Sequence, residues 1–112
     1  MKKSFVAALL CGALTVAAVP AVPVMADEPD YASMKIVLIL PGSIDDQSWN
    51  ASNNAGAKAC DEQLGTSIEV VESVPVEEFE STFTEYGEKG YDLILSAGSQ
   101  FDEACAAVAP QY

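Results

Sequence analysis

Apolar residues in this chain fall in short unbroken runs separated by amphipathic stretches. Ile36, Val37, Leu38, Ile39 and Leu40 form the first run, closed by Pro41 and Gly42. A continuous β-favouring run of that length reads as a strand buried on both faces, as at the centre of a parallel sheet. Ser67 to Val74 (SIEVVESV) is a second strand, with Ile68, Val70 and Val71 apolar and Pro75 ending it. Tyr91 to Ala97 (YDLILSA) is a third, turned by Gly98.

The stretches between them carry helical spacing. A helix is expected from near Ser48, a good N-cap residue, to about Leu64. Its apolar members are Ala51, Ala55, Ala59, Cys60 and Leu64, and Gly65 sits where a helix end favours glycine. Residues 76–89 place Phe79, Phe83 and Tyr86 on one helical face. Glu77, Glu78 and Glu80 occupy the first turn, where the helix dipole favours negative charge. From about Gln100 to Gln111 a third helix should bury Phe101, Ala104, Cys105 and Val108.

The order β-α-β-α-β-α with short connections predicts an α/β fold: a parallel sheet wound by right-handed crossovers. With the first strand central, the expected strand order is 2-1-3. The first helix then covers one face and the other two helices the opposite face. Cys60 and Cys105 would lie on opposite sides of the sheet, beyond the ~7 Å Cα separation a disulfide allows, so two free, buried thiols are expected. The third strand would lack an outer neighbour and present an apolar edge.

The amino terminus changes the domain count. Lys2 and Lys3 precede an apolar stretch from Phe5 to Val19, and Val24-Met25-Ala26 supplies small residues for cleavage. This reads as a secretory signal over residues 1–26; Pro20 and Pro23 cut the run short of the ~20 residues of a membrane span. Cys11 follows Leu10 inside the apolar region, which disfavours lipid anchoring there. Residues 27–33 form a polar, flexible leader, and residues 34–112 the domain. The chain is thus expected to act outside the cytoplasm, in the periplasm or beyond the cell.

Charge and composition narrow the function. All 17 acidic residues follow Ala26, against Lys35, Lys58 and Lys89, leaving that part at −14. This argues against nucleic-acid binding, which needs Lys and Arg on phosphates, and against anionic membrane surfaces. Histidine is absent from the sequence, which removes imidazole bases and Ser-His-Asp or Cys-His catalysis. No cofactor or metal is indicated, since calcium wants six or more oxygens.

Ligands of open parallel sheets bind beyond the carboxyl ends of the strands, which directs attention to SIDDQSWN after the first strand. Gly42 allows close backbone approach or merely turns the chain. Asp45 and Asp46 could accept hydrogen bonds from a ligand, or cap the first helix together with Ser48. Trp49 is either a stacking platform for a flat heterocycle or packed on the sheet. Asn50 offers the donor and acceptor that reading a base edge requires, or is a polar helix residue. Ser96, Gly98 and Ser99 end the third strand at the same crevice, or form an ordinary strand-to-helix turn.

GSIDDQSWN after a strand, with GYDLILSAGSQFDEA about forty residues on, resembles the basic membrane protein family, the PnrA-like substrate-binding components of ABC transporters. The likeness covers about Met34 to Tyr112. It implies the amino-terminal lobe of a two-lobed type I periplasmic-binding fold, a purine nucleoside as ligand, an ABC permease as partner, and no catalysis. The family usually shows Gly-Gly, Asp-Asp, a basic residue, then Ser-Phe-Asn. Here Gly42-Ser43, Gln47 and Trp49 stand at the departing positions, and Trp49 keeps a flat ring. Such proteins continue into a second lobe that closes over the ligand, so this chain reads as the first portion of a longer protein. Two rivals are an exported doubly wound hydrolase or phosphatase using Asp45 or Asp46, and a ligand sensor of the same fold. Adjacent carboxylates rarely straddle a bond at the separation hydrolysis needs, which weighs against the first.

Overall fold

The computed structural model describes residues 27–112; the expected signal over residues 1–26 lies outside them. Three strands, β1 (Ile36–Ile39), β2 (Ile68–Val71) and β3 (Leu93–Ser96), alternate with three helices, α1 (Trp49–Leu64), α2 (Phe79–Glu88) and α3 (Asp102–Val108). The sheet is parallel throughout, in the order β2-β1-β3, with Ile36 beside Ile68 on one side and Leu93 on the other. All four residues of β1 are buried, as a central strand requires. The α/β class and the strand order are those expected.

Alternation along β1 splits the core in two. Val37 and Ile39 face α2 and α3, meeting Phe79, Phe83, Tyr86, Phe101, Ala104 and Val108. Phe101 is the hub: its ring centre lies 4.1 Å from that of Phe79 and 5.9 Å from that of Phe83. Leu38 and Leu40 face the other way, with Ala57 of α1 and Ala97. The helices therefore cover the faces expected of them. Below the sheet, the Glu69 carboxylate accepts hydrogen bonds from the Tyr86 hydroxyl (2.6 Å) and the Tyr91 hydroxyl, which hold its carboxyl below the usual range.

Two expectations need correction. The buried line of α1 is Asn50 and Ala57, whereas Ala55, Cys60 and Leu64 are exposed. Small alanines on several sides gave the helix no decisive apolar stripe, so polar anchors at its two ends set its rotation. At the far end, Asp61 Oδ1 accepts from Thr66 Oγ1 (2.7 Å) and from the Ile68 amide (3.0 Å), drawing that flank to β2. Second, both cysteines are free, but both are exposed rather than buried. Cys60 follows the rotation of α1, and Cys105 lies beside the buried line Phe101, Ala104 and Val108. Residues 27–33 include a short 3-10 turn, Tyr31–Ser33, with no buried residue.

The open edge is real. Leu93 and Leu95 lie on the α1 side of β3, where α1 packs toward β2 instead, and they remain 41% and 39% exposed.

Candidate functional site

The loop between β1 and α1 is built around one carboxylate. Asp46 Oδ1 accepts from the amides of Ser48 (2.8 Å) and Ala51 (2.9 Å). Its Oδ2 accepts from the Asn50 amide (3.0 Å) and from Asn50 Nδ2 (2.8 Å). Ser48 stands at the N-cap position, yet its side chain caps nothing. The cap comes from two residues earlier because Gln47, at φ 53°, turns the chain left-handed and swings Asp46 over the helix end. Backbone amides of Ala51, Ser48 and Asn50, in that order, hold the Asp46 carboxyl far below the usual carboxylate range.

Around this cap the loop is tied down on three sides. The Asp46 amide donates to Ser43 O (3.2 Å) and the Asp45 amide to Ser43 Oγ (3.2 Å). The Ile44 amide donates to Glu72 Oε2 (2.8 Å), joining the loop to the end of β2, and the Ser73 amide donates to Gly42 O (3.1 Å). The Asn50 side chain lies against Gly42 so closely that a Cβ there would fall 2.5 Å from Nδ2. Asn50 is only 9% exposed, and its Oδ1 is buried without a donor. Gly42 is therefore required by a close approach, and that approach is to the chain itself.

Trp49 opens α1 and is 58% exposed. Its indole Nε1 donates to Ala97 O, the carbonyl just past β3, at 3.0 Å. One edge of the ring is thereby fixed across the seam between the β1 and β3 loops, while its surface stays open to solvent. Ser96 closes β3, half-buried, and exposed Ser99 begins the 3-10 turn that leads to α3. Gly98 between them has φ 146°, a conformation that other residues avoid.

The structure thus brings together every expected site residue at the carboxyl ends of β1 and β3. Gly42, Asp45, Ser48 and Trp49 line the first loop, with Asp46 and Asn50 forming its frame. Ser96, Gly98 and Ser99 line the second. Sequence reasoning passed over Glu72 and the Ala97 carbonyl. Glu72 directly follows a strand beside β1, so the rule that singled out the other loops points to it as well; the carbonyl leaves no trace in residue type. Among the described residues no cluster of three metal-ligating side chains occurs. A groove of about 290 Å³ lies elsewhere, between α2, α3 and the lower half of β3, lined mostly by apolar side chains such as Phe83, Ile94 and Val108.

Comparison with known proteins accords with this fold. The model of the family described as ABC transporter substrate-binding protein PnrA-like matches residues 33–112. The chain belongs to that family. A solved structure, the ABC transporter system solute-binding protein from Conexibacter woesei DSM 14684, aligns with TM-score 0.66 and 20% identity. It covers 71% of this chain and 27% of that one, so the PnrA-like chain spans about a quarter of the solved protein, and the likeness is one of fold. None of the curated proteins compared matches the chain. No helix among the described residues is long and apolar enough to cross a membrane.

Proposed function

We propose that this PnrA-like chain forms a lobe that captures a small flat heterocycle, of purine-nucleoside type, at the carboxyl ends of β1 and β3. The observation that carries this reading is Trp49. A large indole left 58% exposed, with its edge fixed by a hydrogen bond to Ala97 O, has its polar handle spent and a face free. Such a ring recognises by stacking, at little entropic cost because its orientation is already set. Asp45, Ser48, Ser96 and Ser99 supply polar contacts around it for a sugar or an exocyclic amine, and Gly98 admits close backbone approach.

The reading is non-enzymatic. Asp46 is occupied as a helix cap, which leaves Asp45 without the second carboxylate that hydrolytic chemistry would use. In the intact system the lobe is exported by the signal over residues 1–26, acts in the periplasm or at the cell exterior, and delivers its ligand to an ABC permease.

Trp49 is the sole tryptophan, so a fluorescence titration reports on the platform itself. Saturable quenching by adenosine, guanosine or inosine, with none by ribose or glucose, is the expected outcome. Saturable quenching by sugars, with nucleosides silent, would replace the ligand class.

A further inference from the structure

A parallel sheet is ordinarily covered on both faces, and this one is covered on only part of the second. Helices α2 and α3 close one face. On the other, α1 packs toward β2, leaving Leu93 and Leu95 of β3 uncovered and 41% and 39% exposed. The result is a trough, floored by those two leucines and walled on one side by the near flank of α1.

The bond from Trp49 Nε1 to Ala97 O identifies that flank. Helical spacing places Gly56 and Cys60, seven and eleven residues after Trp49, within about 20° of the same direction. Ser52, one turn before Gly56, extends the line, and all three are exposed. An added Cβ at Gly56 meets nothing within 4 Å. No neighbour in this chain requires a glycine there, although glycine weakens a helix interior. A line of small side chains does allow a second helix to approach closely.

Charge divides between the same two faces. Glu80, Glu85 and Glu88 of α2 and Asp102 and Glu103 of α3 are exposed on the covered side. Along α1 the charges are Lys58, Asp61 and Glu62. Lys58 and Glu62 lie on the opposite side of the helix from Cys60, and Asp61 bonds Thr66 and the Ile68 amide toward β2. For a chain of net charge −12, the flank of α1 with its trough is where a like-charged copy meets least repulsion.

We infer that a second copy of this chain fills the trough, α1 of each copy lying over β3 of the other. The surface is self-complementary: the same chain supplies the gap and a helix whose flank is small and uncharged. Face-to-face copies nest side by side only about a two-fold axis running along the helices. The two α1 helices are then parallel, and both capture loops open at the same end of the pair. With axes about 8 Å apart and Cα atoms ~2.3 Å from each axis, Cys60 comes within disulfide reach of its counterpart. The face is about 24 Å long and two helix diameters wide, on the order of 500 Å² per copy. A pair thus buries about 1,000 Å², the threshold of a specific interface, so the dimer should be reversible, with a micromolar Kd. The inference is independent of what the lobe binds.

Sedimentation velocity of the full chain, from nanomolar to millimolar concentration, is the first test, and a monomer–dimer transition is expected. Gly56→Glu should weaken the dimer by more than about tenfold, because it buries two facing carboxylates. That variant has open space for its side chain and gains helix propensity, so its fold is kept. Ala107→Glu, on exposed α3 at the other face, should leave the dimer unchanged. Cross-linking checks the register. In a Cys11→Ser/Cys105→Ser background, mild oxidation should link two copies through Cys60; with Cys105 as the one thiol, it should not. In dilute solution the copies are apart and Cys60 reacts freely with a maleimide, and that reaction should slow as concentration passes through the Kd. A dimer indifferent to Gly56→Glu, or linked through Cys105 instead of Cys60, would overturn the inference. A chain that stays monomeric at millimolar concentration would overturn it too, and would leave the trough to a helix of another protein.

Discussion

Asp46 and Trp49 divide the labour of one loop: the first is consumed by the fold, the second is left available. Removing the indole tests that division. Trp49→Ala should weaken nucleoside binding by between about fivefold and a hundredfold, the range of one base-aromatic stack. Trp49→Phe should keep most of the affinity while losing the bond to Ala97, and calorimetry reads both. Gly42 tests the frame. A Cβ there meets Asn50 Nδ2 at 2.5 Å, so Gly42→Ala should cost about 1–3 kcal/mol, as overpacking does. Most of that cost should vanish when measured in an Asn50→Ala background, because the clash is with that side chain alone; denaturant melts of the four proteins give the coupling. The sequence made the loop conspicuous, since a carboxylate pair and an indole after a buried strand have few other uses. It did not say which aspartate caps. That was settled by the left-handed turn at Gln47, a backbone choice that residue type barely encodes.

The two elements most legible in the chain were those with large side chains. Phe79, Phe83 and Tyr86 keep one face and are buried, and the run from Ile36 to Leu40 could only be a central strand. Helix α1 was located correctly and rotated wrongly, because alanine carries too little apolar area to fix a face. Asp46 and Asp61 fix it instead, through hydrogen bonds to amides and a hydroxyl that lie far less openly in the sequence than an apolar stripe does. The thiols give a direct check. Cys60 and Cys105 are exposed and unpaired, so both should react with a maleimide in the native protein, about as fast as in denaturant. Protection of either until unfolding would show that its helix is turned inward.

Among the described residues two carboxylates are held below their ordinary range: Asp46, far below, by helix amides, and Glu69 chiefly by the Tyr86 hydroxyl. A carboxylate depressed in the folded state stabilises the fold above its unfolded pKa, near 3.8 for Asp46 and 4.5 for Glu69. That stabilisation is lost as pH falls through and below those values. Melting temperature should therefore be level from neutral pH to about pH 5 and decline below it, and Asp46→Asn should start lower with a shallower acid decline. A decline of unchanged steepness in that variant would remove Asp46 from the account. Strand order was legible at this scale because handed crossovers admit few alternatives, as was the exposed edge at Leu93 and Leu95. The bond that crosses the seam was not, and it has a thermodynamic consequence. Trp49 Nε1 and Ala97 O are 48 positions apart and meet only when β3 has docked beside β1. A ligand resting on that junction has no counterpart in the unfolded chain, so its occupancy and the folding equilibrium are linked. At a hundredfold excess over Kd the folded state would gain about 2.7 kcal/mol, a large share of the margin a domain this small possesses. A ligand bound there would also be a structural component, and the empty lobe would be the form most exposed to proteolysis.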